Sequence, residues 1–343
     1  MLRISAGAPV HGHLKTEPED FIVEEIPDAE PSGSGEHLYV WIEKRNLPVH
    51  QLMQRLTRGL NLDSREIGSA GLKDARAVTR QWLSLPARVE SRLSAIEDET
   101  LKVLRVSRDT TRLRTGHLQG NRFIIRVRGV APADIERARG LVEALRGSGI
   151  PNYFGPQRFG RDGNTLVIGR KLIGGEMLKL NAMLGRLALS SVQSALFNAC
   201  LAARVADGLF ARVLRGDVIA DRKLGIISVA IDAGVEEERA RAGRVVTMGP
   251  MFGPKMREAR HEVATREAAV LAASGLDRAA FARKRELPGT RRPYRLSLDD
   301  FGFDAVDDGF VVRFELPAGG YATVVLNEIV SEPTLADEVD DGP

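Results

Sequence analysis

Cysteine is almost absent: Cys200 is the single one among 343 residues, so no internal disulfide and no cysteine-rich metal cluster can form within the chain. Its surroundings, SALFNACLAARV, are helical and apolar, which makes it a core thiol rather than a nucleophile. The six histidines are scattered without metal-ligand spacing, and the close pair His11 and His13 lies in a Gly-flanked terminal stretch that reads as surface. No apolar run is long enough to span a bilayer, and MLRISAGAPVHGHLKTEPEDF lacks the basic-then-apolar order of a secretory signal. A cytoplasmic protein without membrane contact is expected. GxxxxGK[ST], GxSxG, HExxH and paired CxxC are missing too, and the glycines of GNTLVIGRKLIGG are spaced wrongly for a phosphate loop. No metal or nucleotide cofactor is expected from these motifs.

What is present is an ordinary folded composition, 43% hydrophobic and 28% charged, on a chain long enough for two domains or for one carrying an insertion. Net charge is only +3, but its distribution is uneven. Basic residues crowd LKVLRVSRDTTRLRTG (Lys102, Arg105, Arg108, Arg112, Arg114) and ARKRELPGTRRPYR (Arg283, Lys284, Arg285, Arg291, Arg292, Arg295). Acidic residues collect in EPEDFIVEE and in the tail ADEVDDGP. The basic stretches fit a surface that tracks phosphates, and charge alone fits solvated faces equally well.

HLYVWIEK, RQWLSLPA, NRFIIRVRG and FVVRFELP read as strands, rich in β-branched and aromatic residues between turn formers. PVHQLMQRLTRGL carries Val49, Leu52, Met53, Leu56 and Leu60 at helical spacing behind Pro48. ADIERARGLVEALRGSG repeats the pattern, with Asp134 as the expected N-cap and Gly147 as the stop. From about Leu178 to Arg204 the text is continuously helical, and MREARHEVATREAAVLAASG predicts a second long helix. DDGFVVRFELPAGGYATVVLNEIV predicts a hairpin turning at Pro-Ala-Gly-Gly. A β-rich start, a helix-rich middle and a β-rich end predict an α+β fold in which a helical domain interrupts a discontinuous sheet domain.

Two short strings carry chemistry. Lys73 and Asp74 sit side by side in SAGLKDARAVT, a glycine-bearing turn just before a strand. In GNRFIIRVRG a period of two puts Asn121, Phe123, Ile125 and Val127 on one face. The plain reading makes Phe123 core and Asn121 the end of a turn. The functional reading makes them a stacking ring and a hydrogen-bonding amide for an unstacked nucleobase.

AGLKDARAVT, KTEPEDFIVEE, GNRF, PNYFGPQRFG and LPAGGYATVVLNE together resemble the TruD family of tRNA pseudouridine synthases, in the family's order and over roughly residues 13 to 330. The resemblance implies a mixed-sheet catalytic domain formed by residues 1–150 and 295–343, with a helix-rich α/β domain inserted at 151–294. It implies isomerisation of a tRNA uridine, in this family the one at position 13, to pseudouridine, without a cofactor and with tRNA as the macromolecular partner of a monomer. Asp74 matches the family's catalytic aspartate, as nucleophile at C1′ or base at C2′. A carboxylate enclosed with a nucleobase needs a facing cation to stay ionised, and Lys15 is the candidate, with Lys73 as a structural or hydrogen-bonding neighbour. Phe123 is then expected to stack on the uracil and Asn121 to hold Asp74 or the substrate. Thr79 and Gln81 would order the catalytic loop, Glu328 would order donors near the site, and Arg158 would contact RNA. Pro48-Val49 depart from the Asn-Thr that family members often carry there, a change remote from the catalytic strings. On the basic stretches and aromatics alone, a non-catalytic RNA binder would fit as well. A nucleoside glycosylase using Glu328 as a second acid would also need Asp74.

Overall fold

A computed structural model describes residues 1–71, 73–298 and 300–331. In chain order the first strands and helices are β1 (Phe21–Pro27), β2 (His37–Arg45), α1 (Val49–Leu60), β3 (Gly68–Ser69), β4 (Val78–Pro86), β5 (Leu101–Asp109), β6 (Leu118–Arg128) and α2 (Pro132–Ser148). The middle holds β7 (Ile150–Pro151), α3 (Asn164–Ile173), α4 (Ala182–Ala206), β8 (Val218–Asp221), β9 (Ile227–Val229), α5 (Ala233–Arg241), β10 (Val245–Met251), α6 (His261–Ala273), α7 (Arg278–Ala282), β11 (Thr290–Pro293) and β12 (Arg295–Leu296). Two further strands and a helix follow: β13 (Gly302–Val306), β14 (Gly309–Pro317) and α8 (Ala322–Asn327).

These elements fall into two compact units: one of residues 7–147, 298–322 and the chain from Leu326, the other of residues 1–6, 148–297 and 323–325. The first unit is built on a mixed eight-stranded sheet ordered β13-β14-β6-β1-β4-β2-β5, with β3 added beside β4. β1 and β4 run parallel, and the other pairs along the sheet are antiparallel. An α+β architecture is what the strand and helix signals predict, and a mixed sheet is what the resemblance implies.

Along β2 the inward residues are Leu38, Val40 and Ile42, and along β4 they are Leu85 and Leu83. Leu52, Leu56 and Leu60 of α1 pack on this surface together with Val89, Leu93 and Ile96. The three leucines share one helical face, and Asn61, with φ +50°, turns the chain out of α1. The same inward rows then change character. After Ile42 comes Lys44, and before Leu83 come Gln81 and Thr79, all buried. At one end, therefore, the apolar face becomes a polar floor.

The second unit contains a four-stranded sheet, β11-β10-β8-β9, and the helices α3 to α7. Gly169 of α3 lets that helix lie against α4, because a Cβ there would fall 2.0 Å from the Ala188 carbonyl oxygen. Cys200 is buried in α4, and burial pushes its thiol up to about 12, as a core position implies.

Four local expectations need correction. ATVVLN, expected as the second strand of a closing hairpin, is α8; this run is buried almost throughout, and a short apolar run buried on all sides has no periodicity to separate strand from helix. The hairpin lies one element earlier, where Asp307 and Asp308 join β13 to β14. The helix expected from Met256 starts only at His261, because the Arg260 N–H bonds the Gly216 carbonyl instead of continuing a helical ladder. α4 starts at Ala182 rather than near Leu178, since the Asn181 side chain accepts the Leu184 N–H at 2.7 Å. α2 begins at Pro132, so Asp134 sits in its first turn rather than at its cap. The acidic tail ADEVDDGP lies outside the described residues.

Candidate active site

Cross-strand partners share a face of a sheet, so the register places the polar floor residue by residue. Lys44 of β2 pairs Thr79 of β4, Thr79 pairs Val23 of β1, Val23 pairs Phe123 of β6, and Phe123 pairs Phe314 of β14. Two residues along, Ile42 pairs Gln81, while Glu25 pairs Asn121 and Asn121 pairs Leu316. Thr79, Gln81, Asn121 and Phe123 thus come together on one face. Gly120 belongs to the same construction: a Cβ there would lie 2.1 Å from the Leu316 carbonyl oxygen, so the Gly of GNRF is what lets β14 close on β6.

Phe123 is buried, stacked on Phe314 at 5.3 Å between centroids and meeting Phe21 edge-on at 6.3 Å. The plain reading of the ring as core is therefore correct for the free protein. Asn121 is half-buried, and its enclosed side-chain oxygen has no hydrogen-bond partner among the described residues. The hydroxyl of fully buried Thr79 is likewise unanswered. Unpaired buried oxygens are uncommon and costly; besides these two, the Thr323 hydroxyl of α8 is another among the described residues.

The loop before β4 carries Lys73 and Asp74. Buried Lys73 donates from Nζ to Glu25 Oε2 at 2.9 Å, and Glu25 Oε1 accepts the Trp82 N–H at 3.3 Å. Burial pushes the Glu25 carboxyl above its ordinary range, and the Lys73 charge and these hydrogen bonds offset only part of that. Asp74 is half-buried, and its backbone carbonyl accepts Lys44 Nζ at 2.6 Å. Its carboxylate receives no hydrogen bond or ion pair from any described residue.

Lys15 is buried, with φ +55°, and its Nζ lies 4.3 Å from the centroid of Phe21, a cation–π contact on the inward side of β1. Glu328 is buried just after α8, where the neighbouring Ile329 carbonyl accepts the Val10 N–H at 2.8 Å. Arg158 belongs to the other unit; it donates to Ser194 Oγ at 3.1 Å and Ser190 Oγ at 2.8 Å and lies 5.6 Å from the Phe154 ring. Among the described residues no group of three or more His, Cys, Asp or Glu side chains is placed to hold a metal ion.

Reading motifs alone misses Glu25 and Lys44. Both were legible as charges in the inward phase of an alternating strand: Phe21-Val23-Glu25, and Leu38-Val40-Ile42-Lys44. The basic stretches also change meaning. In the second, Arg291 is buried against Glu267, and Arg292 lies 4.1 Å from the Phe154 ring, while Arg283 and Arg285 remain exposed. In the first, Arg105 pairs Glu30 at 3.0 Å, Arg108 pairs Glu90, and Arg112 donates to the Ile67 carbonyl; Lys102 and Arg114 remain exposed.

Known proteins resemble this chain over nearly its whole length. A family model described as tRNA pseudouridine synthase D (TruD) matches residues 2–186 and 175–329. The tRNA pseudouridine synthase D of Anaeromyxobacter sp. (strain Fw109-5) is 42% identical over 96% of this chain and 95% of its own. That of a Thermus thermophilus strain is 39% identical over 95% of this chain and 90% of its own. The crystal structure of a Methanosarcina mazei protein, described as a candidate tRNA pseudouridine synthase D, superposes with a TM-score of 0.78 at 25% identity, covering 96% of both chains. No helix among the described residues is long and apolar enough to cross a membrane. Its match to the family model and its relatives over nearly the full length place this chain in the tRNA pseudouridine synthase D family.

Proposed function

We propose that this protein converts the uridine at position 13 of tRNA to pseudouridine and that Asp74 is the carboxylate that does the chemistry. Family membership makes the chain an isomerase of the pseudouridine synthase class. The reaction cleaves the bond between N1 of uracil and C1′ of the ribose, turns the base, and joins C5 to C1′; N1 ends with a proton and C5 loses one. It is redox-neutral. The observation that carries the assignment is the contrast within one residue: the Asp74 main chain is held by Lys44, while its carboxylate takes no bond from a described residue. A group so placed can serve as nucleophile at C1′ or base at C2′.

Placement supports the remaining roles. Phe123, already ordered by Phe314 and Phe21, forms the ring against which the flipped uracil stacks. Taking a base out of its stack costs a few kcal/mol, and stacking on an aromatic side chain offsets roughly 1–3 kcal/mol of that. Asn121 and Thr79 answer polar edges of the substrate, Gln81 packs beside them, and Lys73 is fixed by Glu25. Lys15 supplies positive charge on the inward side of β1. Glu328 orders donors, and Arg158 contacts RNA. The enzyme acts as a monomer in the cytoplasm, where tRNA is found.

The test is pseudouridine mapping at nucleotide resolution on an unmodified tRNA transcript, without added cofactor, for wild type and Asp74→Asn. Conversion of one uridine by wild type, and binding without conversion by the variant, is the expected result. Conversion by both would remove Asp74 from the chemistry, and release of free uracil would make the protein a glycosylase with Glu328 as the second acid.

A further inference from the structure

Lys44 is fully buried at the end of a strand row that is otherwise Leu38, Val40 and Ile42. A methionine or leucine would continue that row without desolvating a charge, so the ammonium must be there for what it binds. Its Nζ faces three carbonyl oxygens: Leu47 at 2.9 Å, Asp74 at 2.6 Å and, longer, Lys73 at 3.5 Å. A protonated lysine can donate to all three, the Lys73 carbonyl most weakly.

The acceptors come from two different connections, the turn from β2 into α1 and the loop into β4. The same connections are joined a second time, by the Asn46 N–H to the Ala77 carbonyl at 3.0 Å, with Asn46 at φ +46°. Lys73 is fixed separately through Glu25 at 2.9 Å. The loop is therefore gripped from both strands that flank β4, by Glu25 of β1 and by Lys44 of β2. With no described residue bonded to its carboxylate, the direction in which Asp74 points is set by its main chain.

We propose that Lys44 is a positioning residue for the reaction: its buried ammonium fixes the Lys73-Asp74 main chain and so aims the Asp74 carboxylate at the ribose. This rests on the reading of Asp74 as the catalytic group. Lys44 touches no reacting atom, and tRNA binding does not use it.

The experiment compares wild type, Lys44→Met, Lys44→Gln and Asp74→Asn by single-turnover conversion of a saturating tRNA transcript, by equilibrium tRNA binding, and by amide hydrogen exchange. Lys44→Met is expected to slow conversion by about 100-fold, the effect of a small misplacement of a reacting group, with tRNA affinity within about threefold of wild type. Exchange should rise in residues 73–77 while α1, β2 and β4 stay protected. Lys44→Gln, whose amide still donates hydrogen bonds, should regain about tenfold over the Met variant. Conversion by Lys44→Met within about threefold of wild type would overturn the proposal. So would exchange rising evenly through β2 and β4, or a Lys44→Met chain that does not fold, since either makes Lys44 a stability residue. If Asp74→Asn converts uridine, the underlying assignment of Asp74 has failed; if it is inactive and Lys44→Met is fully active, only the positioning role has.

Discussion

Arg204 and Arg291 in the unit of residues 148–297, and Lys44 in the unit that carries Asp74, are all buried cations, yet their surroundings differ in kind. Arg204 forks onto both oxygens of Asp217 at 2.8 and 2.7 Å and also reaches the Leu209 and Arg212 carbonyls. Arg291 bonds Glu267 and the Arg257 carbonyl, and burial raises the Glu267 carboxyl while Arg291 works against that rise. In those networks each carboxylate is answered by a guanidinium fork. Around Lys44 the ammonium meets main-chain oxygens, and among the described residues the carboxylate beside it takes no bond and the Thr79 and Asn121 oxygens are unpaired. Closed networks of buried charge hold a fold together. Open ones, costly in the free protein, belong where a substrate can answer them.

The sharpest way to break this contrast is Arg204→Ala, which strands a buried Asp217. Urea unfolding should show a loss of about 3–5 kcal/mol, with activity per folded molecule unchanged. A loss below about 1 kcal/mol would mean that the closed network is ornamental. Next comes Phe123→Leu, chosen because truncation to Ala would open a cavity beside Phe314. It should lower conversion by about 1–3 kcal/mol of stacking, roughly 5- to 150-fold, and leave tRNA affinity nearly unchanged. If affinity fell and turnover of bound tRNA persisted, the ring would be a binding contact instead.

Asp20 provides a smaller test of whether closed pairs in the site-bearing unit behave like those elsewhere. Burial opposes its ionisation, but hydrogen bonds from Arg128 and the Glu17 N–H, with the charges of Arg128 and Arg126, hold its carboxyl below the usual carboxylate range. A depressed carboxyl stabilises the fold above its unfolded value, and that stabilisation fades as pH falls through the folded value. Asp20→Asn should therefore melt about 3 °C lower than wild type at pH 7, and the gap should close below pH 4. A gap independent of pH would mean that packing, not charge, is what Asp20 supplies. The smallest expected effect is on stability in Asn121→Ala. Removing an oxygen that has no partner should leave the unfolding free energy within about 0.5 kcal/mol of wild type, while conversion falls. A clear loss of stability would show that the amide is part of the scaffold.

Much of the candidate site could be read before any fold was known, but unevenly. Asp74, Lys73, Asn121 and Phe123 stood in short strings whose order carried the family resemblance, and the period of two in GNRFIIRVRG put Asn121 and Phe123 on one face. Glu25 and Lys44 were harder, because a charged residue in a strand reads as solvated until its neighbours' phase is counted. Arg291 failed in the opposite direction: RR in a basic stretch reads as surface, and only the fold brings Glu267 of α6 against it. The PAGGYATVVLN segment misled for a different reason, since continuous burial erases the periodicity that separates strand from helix.

By itself, the sequence determined the local facts: which segments alternate with period two, which carry helical stripes, and which glycine-bearing turn holds Lys73 and Asp74. These follow from chain sterics and side-chain spacing within a few residues. What the tertiary structure decided was every pairing across distance. β1 had to come beside β4 for Glu25 to receive Lys73, and β2 beside β4 for Lys44 to reach the Asp74 carbonyl. Whether a buried charge is answered depends on strands far apart in the chain, and no local pattern records which strands become neighbours.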